Sequence, residues 1–160
     1  MCKSGKLLIT ALAMALLTAT AQSKPKTIVF ATLHDKGTAV EMATDHGVGM
    51  ANMKIPSAMG IKLSTDQVPA GNVVFKVTNS SKETAHEMLV FHYVEGMQFP
   101  YDPKILKIDE DKAGSLGEVS ETEPGKVGEV QLDLKPGKYV VLCDVPGHFA
   151  NGMWALLTVK

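Results

Sequence analysis

From Thr27 onward, apolar residues recur in short runs that are rich in β-branched side chains and separated by turn residues. Residues 27–33 (TIVFATL), 60–64, 72–79 (NVVFKVTN), 86–94 (HEMLVFHYV), 127–134 (VGEVQLDL), 139–143 and 153–159 each read as a strand. Between them lie Val68-Pro69-Ala70-Gly71, the polar stretch 80–84 and Lys135-Pro136-Gly137-Lys138, all of them turn chemistry. Residues 34–52 are rich in Gly and Met without a clear period and read as loop, with a helical turn around residues 39–43. Residues 95–126 carry Pro100, Pro103 and Pro124 and an acidic stretch over 109–123. They leave room for one short helix within 104–113, the rest reading as a solvated loop. No stretch after residue 21 sustains a 3.6-residue period, so long helices are not expected. Many short strands with Gly/Pro turns indicate an all-β sandwich or barrel, though this pattern does not specify the strand order.

The first residues follow a different pattern. Lys3 and Lys6 precede an apolar run over residues 7–21, which ends in the small residues Ala19-Thr20-Ala21. This is the three-part layout of a secretory signal peptide, with an uncleaved anchor as the alternative. The expected organisation is a signal peptide over 1–21 and an N-terminal strand with a Met-rich loop region over 22–54. The β-sandwich core over 55–160 forms one domain with that region. The chain is then extracytoplasmic, in the periplasm or beyond, with no membrane span in the mature form.

Composition narrows the function. The 160-residue chain contains no arginine. Bidentate recognition of phosphate or guanine leans on that side chain, so a nucleic-acid partner is not expected. Cleavage after Ala21 would remove Cys2 and leave Cys143 as the sole mature thiol, so no intramolecular disulfide would form. A single thiol in an oxidising compartment is protected by burial or by a metal. Turn residues follow Cys143, which weakens the reading of an ordinary core cysteine.

Cys143, His148 and Met153 follow one another near the C-terminus, each separated from the next by four residues. Thiolate, imidazole and thioether are donors that suit copper, and two His, one Cys and a weak axial Met form the blue-copper electron-transfer set. A hairpin loop between strands 139–143 and 153–159 can bring all three to one point. His86 is the best fourth donor, because it begins a strand directly after a polar turn. His92 lies six residues on, about 20 Å away along an extended strand, too far to share the metal. His34 and His46 are weaker candidates. Taken singly, His148 reads as a loop histidine, Met153 as core filler and His86 as a hydrogen-bonded strand end. Together they specify a copper site. A thioether adds little for zinc, which prefers four strong donors.

The segment from Tyr139 to His148 (YVVLCDVPGH), followed by Gly152-Met153-Trp154, resembles the copper loop of the cupredoxins. Its two four-residue gaps are most similar to the rusticyanin and sulfocyanin branch. The turn 68–71, the strand 72–79 and His86 extend the resemblance over most of residues 55–160. It implies a Greek-key β-sandwich holding one type 1 copper. No open position for substrate and no nucleophile–base pair stands out, so the chain reads as an electron carrier rather than an enzyme. The partner would be a transiently bound redox protein such as a cytochrome or oxidase, and the carrier a monomer. Many cupredoxins carry Asn or Ser after the first histidine; this chain has Glu87.

Three further features remain, the first two with two readings each. Met42, His46, Met50, Met53 and Met59 form a Met-rich stretch, read either as secondary Cu(I) contacts or as packing. The first would make the chain a periplasmic copper-tolerance or copper-buffering protein. The acidic residues Asp109, Glu110, Asp111, Glu118, Glu121 and Glu123 read as a solvated face or as steering for a basic partner. Phe149 and Ala150 beside His148 read as an apolar docking patch.

Overall fold

A computed structural model describes residues 25–35 and 59–160. Its elements, in chain order, are β1 (Thr27–Asp35), β2 (Met59–Leu63), β3 (Gln67–Val68), β4 (Gly71–Asn79), β5 (His86–His92), β6 (Tyr101–Asp102) and β7 (Lys107–Ile108). They continue with α1 (Glu110–Ala113), β8 (Gly117–Thr122), β9 (Val127–Leu134), β10 (Gly137–Leu142) and β11 (Trp154–Val159). One sheet runs β2-β1-β4-β9 and the other β3-β11-β10-β5-β8, while β6 and β7 form a small ribbon. The chain passes between the two large sheets from β2 to β3, from β3 to β4, from β4 to β5, from β8 to β9 and from β9 to β10, and the result is an all-β Greek-key sandwich.

Alternation in the sequence becomes alternation in space. Val29, Ala31 and Leu33 of β1 point inward and meet Met88 and Val90 of β5 and Tyr139 and Val141 of β10. Ile28 and Phe30 point outward and stay exposed. The parallel pairing of β1 with β4 sets Val29 beside Phe75 and Ala31 beside Val77, so both strands bury the same face.

β5 and β10 break the alternation, because both of their faces are covered. Leu89, Phe91, Val140 and Leu142 turn away from the main core and pack under Phe99, Ile108 and Phe149 in a second cluster. The proline-rich excursion over residues 95–116 is therefore a lid on the outer face of this sheet, and β6, β7 and α1 belong to it. Apolar residues in unbroken series are what a strand buried on two faces requires.

The acidic stretch departs from its reading as loop. Residues 117–122 form edge strand β8, paired with β5. Only Val119 and Thr122 are buried in it, and the outward positions are Glu and Ser. A short charged edge strand discourages pairing with other chains, and for the same reason it looks like loop in sequence. The helix expected within 104–113 is the single turn α1, capped by the Asp109 side chain. The helical turn around 39–43, with Met42, His46, Met50 and Met53, lies outside the described residues. Among the described residues, no helix is long and apolar enough to cross a membrane.

Candidate metal centre

The centre forms where β5 begins, where β10 ends and where the loop between β10 and β11 turns back. Cys143 continues the inward set Tyr139, Val141 of β10, and His86 the inward set Met88, Val90 of β5. The side-chain period of two therefore aims the thiol and the first imidazole into the same end of the sandwich.

The loop supplies the second imidazole through a compact turn. His148 N–H donates to the Val145 carbonyl at 2.9 Å, Asn151 N–H to the Gly147 carbonyl at 3.1 Å and Met153 N–H to the His148 carbonyl at 3.1 Å. The Asn151 side chain donates a further bond to Gly147 O at 2.8 Å. Cys143 N–H donates to the Met153 carbonyl at 3.0 Å, which closes the loop across its own base. Gly147 and Gly152, directly before His148 and Met153, have φ of 82° and 88°. That left-handed region is open to glycine at little cost, so the chain can reverse just ahead of each residue.

The donors meet closely. His86 Nδ1 and His148 Nδ1 are 3.1 Å apart. Cys143 Sγ lies 3.4 Å from His148 Nδ1 and 3.9 Å from His86 Nδ1. All three residues are buried, and Met153 is buried in the same core cluster as Cys143. His92, at the far end of β5, stacks on Tyr139 with ring centroids 4.6 Å apart and takes no part. His34 pairs with Gly60 on β2, and Met59 is packed in the main core.

The surroundings prepare these groups for a cation. Burial, and then the neighbouring His86 ring, lowers the His148 pKa to about 4, and burial likewise lowers that of His86. Both rings are thus neutral with lone pairs available. His86 turns its Nε2 outward, 2.8 Å from Ser81 Oγ and 3.2 Å from Asp35 Oδ2. A proton on Nε2 serves both acceptors and leaves Nδ1 bare and facing the centre. Burial pushes the Cys143 thiol up to about 12, against the opposing pull of backbone N–H groups of Glu87 and Val145. A buried thiolate needs a positive charge beside it. Two imidazole lone pairs and one thiol with no cation of their own, converging on one point, fit a soft or borderline metal ion.

Glu87 and Asp144, which follow His86 and Cys143, answer the question of the missing Asn or Ser. Both are buried, and Lys107 Nζ of β7 lies 3.9 Å from a carboxylate oxygen of each. The Ile108 N–H donates to Asp144 Oδ1 at 2.7 Å, and the Gly147 N–H donates to the Leu106 carbonyl at 2.8 Å. The β7 segment thus ties the two donor-bearing segments together. Burial still raises Glu87 to about 7 and Asp144 to about 6, so one lysine does not fully offset two buried acids.

Asp35, Ser81, Asn79 and Lys107 were not singled out in the sequence. Asn79 donates to Thr84 O at 2.8 Å and Thr122 O at 2.7 Å and accepts from Ser81 N–H at 2.9 Å, which shapes the turn before His86. A polar residue at the end of an apolar strand was the available signal for Asn79; Asp35 and Lys107 carried none. Phe149 and Ala150 do not form an exposed patch. Phe149 packs edge-on against Phe99, centroids 5.5 Å apart, and both residues are buried. The lid over residues 95–116 takes the apolar surface that the docking reading had left to a partner.

A Greek-key sandwich with a buried Cys/His/His cluster at one end defines a cupredoxin. The sulfocyanin (SoxE) domain family matches residues 18–160, and the chain belongs to that family. Its cofactor is one type 1 copper ion. Reduced rusticyanin is 19% identical, with 87% of this chain and 82% of that chain covered and a TM-score of 0.55. Rusticyanin from Thiobacillus ferrooxidans is 18% identical, with 86% and 79% covered and a TM-score of 0.55. No curated protein matches the chain in sequence.

Proposed function

We propose that the protein is an exported one-electron carrier whose copper is held by His86, Cys143, His148 and Met153. The observation that carries this reading is the convergence of His86 Nδ1, His148 Nδ1 and Cys143 Sγ within 3.1–3.9 Å of one another. The two imidazoles and the thiolate would be the strong donors, and the Met153 thioether would be a weaker one. A bound copper ion supplies a one-electron couple.

The rest is the work of the chain. The loop hydrogen bonds fix the positions of His148 and Met153, and the Asp35–Ser81 pair fixes the ring of His86. The Glu87 and Val145 N–H groups hold the Cys143 sulfur. Donors held this rigidly cannot rearrange much between oxidation states, which favours rapid electron transfer. The burial of the site keeps water away from the thiolate. The reading includes no catalysis by this chain. A transiently docked redox protein, a cytochrome or an oxidase, would deliver or remove the electron, and the carrier would work as an extracytoplasmic monomer after loss of residues 1–21.

Addition of Cu(II) is expected to produce an intense thiolate charge-transfer band that saturates at one copper per chain and is absent in Cys143→Ser. A band that persists in that variant would defeat the assignment. Binding of more than one Cu(I) per chain, with the excess lost on replacing Met50 and Met53, would instead make the chain a copper-handling protein.

A further inference from the structure

We propose that Asp35 lowers the reduction potential of the copper site, acting through the imidazole of His86. This rests on the reading of His86 as a ligand through Nδ1. Asp35 is the last residue of β1, on the sheet opposite β5, and lies far from the ligand loop in sequence. Its carboxylate is nevertheless 3.2 Å from His86 Nε2, and the two side chains are only 3% and 0% exposed.

The geometry sets the direction of the effect. Ser81 Oγ shares the same ring nitrogen at 2.8 Å, so two oxygens hold the ring plane. Only one of the two carries a charge. A hydroxyl orients the imidazole and adds no net charge. A carboxylate that accepts the Nε2 proton increases electron density at Nδ1 and makes the ring a stronger donor. It also places a negative charge one ring away from the metal position, in a site where water screens little. Both effects favour the more positive oxidation state. Asp35 is thus a positioning residue whose charge biases the couple toward Cu(II), a role that Ser81 does not share. The β1–β4 pairing and the bond from Ser80 N–H to the Leu33 carbonyl at 2.8 Å hold this end of β1 against the turn that carries Ser81.

The test is a redox titration of the copper-loaded full chain, with Asp35→Asn and Ser81→Ala beside the unmodified protein. The amide of Asp35→Asn keeps an oxygen in place and removes the charge. The copper equilibrium is expected to move toward the reduced form by about tenfold, or about 59 mV upward for a one-electron couple. Ser81→Ala is expected to move it by less than a third of that. An Asp35→Asn variant that keeps the charge-transfer band and whose equilibrium lies within twofold of the unmodified protein would refute the role of Asp35 alone. If the unmodified protein gave no band, the copper assignment would fall, and this inference with it. Should Asp35→Asn not take up copper, nitrogen NMR of His86 in the reduced unmodified protein decides. An Nε2 proton shifted strongly downfield, as a bond to a buried carboxylate shifts it, supports the contact; one at an ordinary imidazole position refutes it.

Discussion

Cys143 is the residue at which chemistry and environment conflict most. Its thiol, pushed up to about 12 by burial, stays protonated at neutral pH in the metal-free protein. A metal ligand must be the thiolate, so uptake of copper has to release that proton. Isothermal titration in buffers of different ionisation enthalpy is expected to show about one proton released per copper near pH 7. Copper affinity should then rise about tenfold per pH unit through the neutral range, since the thiol value lies far above it. His148, held down to about 4, adds a second proton to the balance only when the pH falls toward that value. A pH-independent affinity between pH 6 and 8 would mean that the thiolate is already formed. The cluster of His86, Cys143 and His148 was legible in the sequence, because donor types at fixed spacing point to a metal. The groups that tune them were not. Asp35 and Lys107 reach the site only because β1 and β7 fold against it, and nothing in their local sequence marks either one.

Among the elements, β5 shows why a continuous apolar run differs from an alternating one. It is buried on both faces, by the main core on one side and by the 95–116 lid on the other. Phe99 links that lid to the ligand loop, packing edge-on against Phe91 of β5 at 5.3 Å and against Phe149 at 5.5 Å. Phe99→Ala is expected to destabilise the protein by about 3–5 kcal/mol, as for other buried aromatic truncations. It should also weaken copper binding, since Phe149 is next to His148. Denaturant unfolding with and without copper measures both. Unchanged stability would mean that the lid is not a packed part of the fold. The regular strands were legible because a period of two survives in β1, β4 and β9. The lid and edge strand β8 were not. Prolines and charges in them satisfy local rules for loops, and their order comes from what they pack against.

For the whole molecule, the donors sit where segments distant in sequence meet at one end of the sandwich. A metal that binds only the folded arrangement stabilises it by mass action. At copper concentrations about a thousandfold above the dissociation constant, the added stability is about 4 kcal/mol. Thermal unfolding is therefore expected to shift upward on copper addition and to return on chelation; identical melting curves would show that the site contributes nothing to the folded state. By itself the sequence determined the class of fold, the metal and the donors expected to hold it. Strand periodicity and the chemistry of thiolate, imidazole and thioether are local properties, and local properties are written in consecutive residues. Tertiary structure alone decided which groups surround the donors. It placed the Asp35 carboxylate behind His86, joined Glu87 and Asp144 through Lys107, and covered Phe149 with the lid. Each of these contacts joins strands or loops far apart in the chain. Such contacts depend on sheet order and register, and those arise only when the two sheets pack.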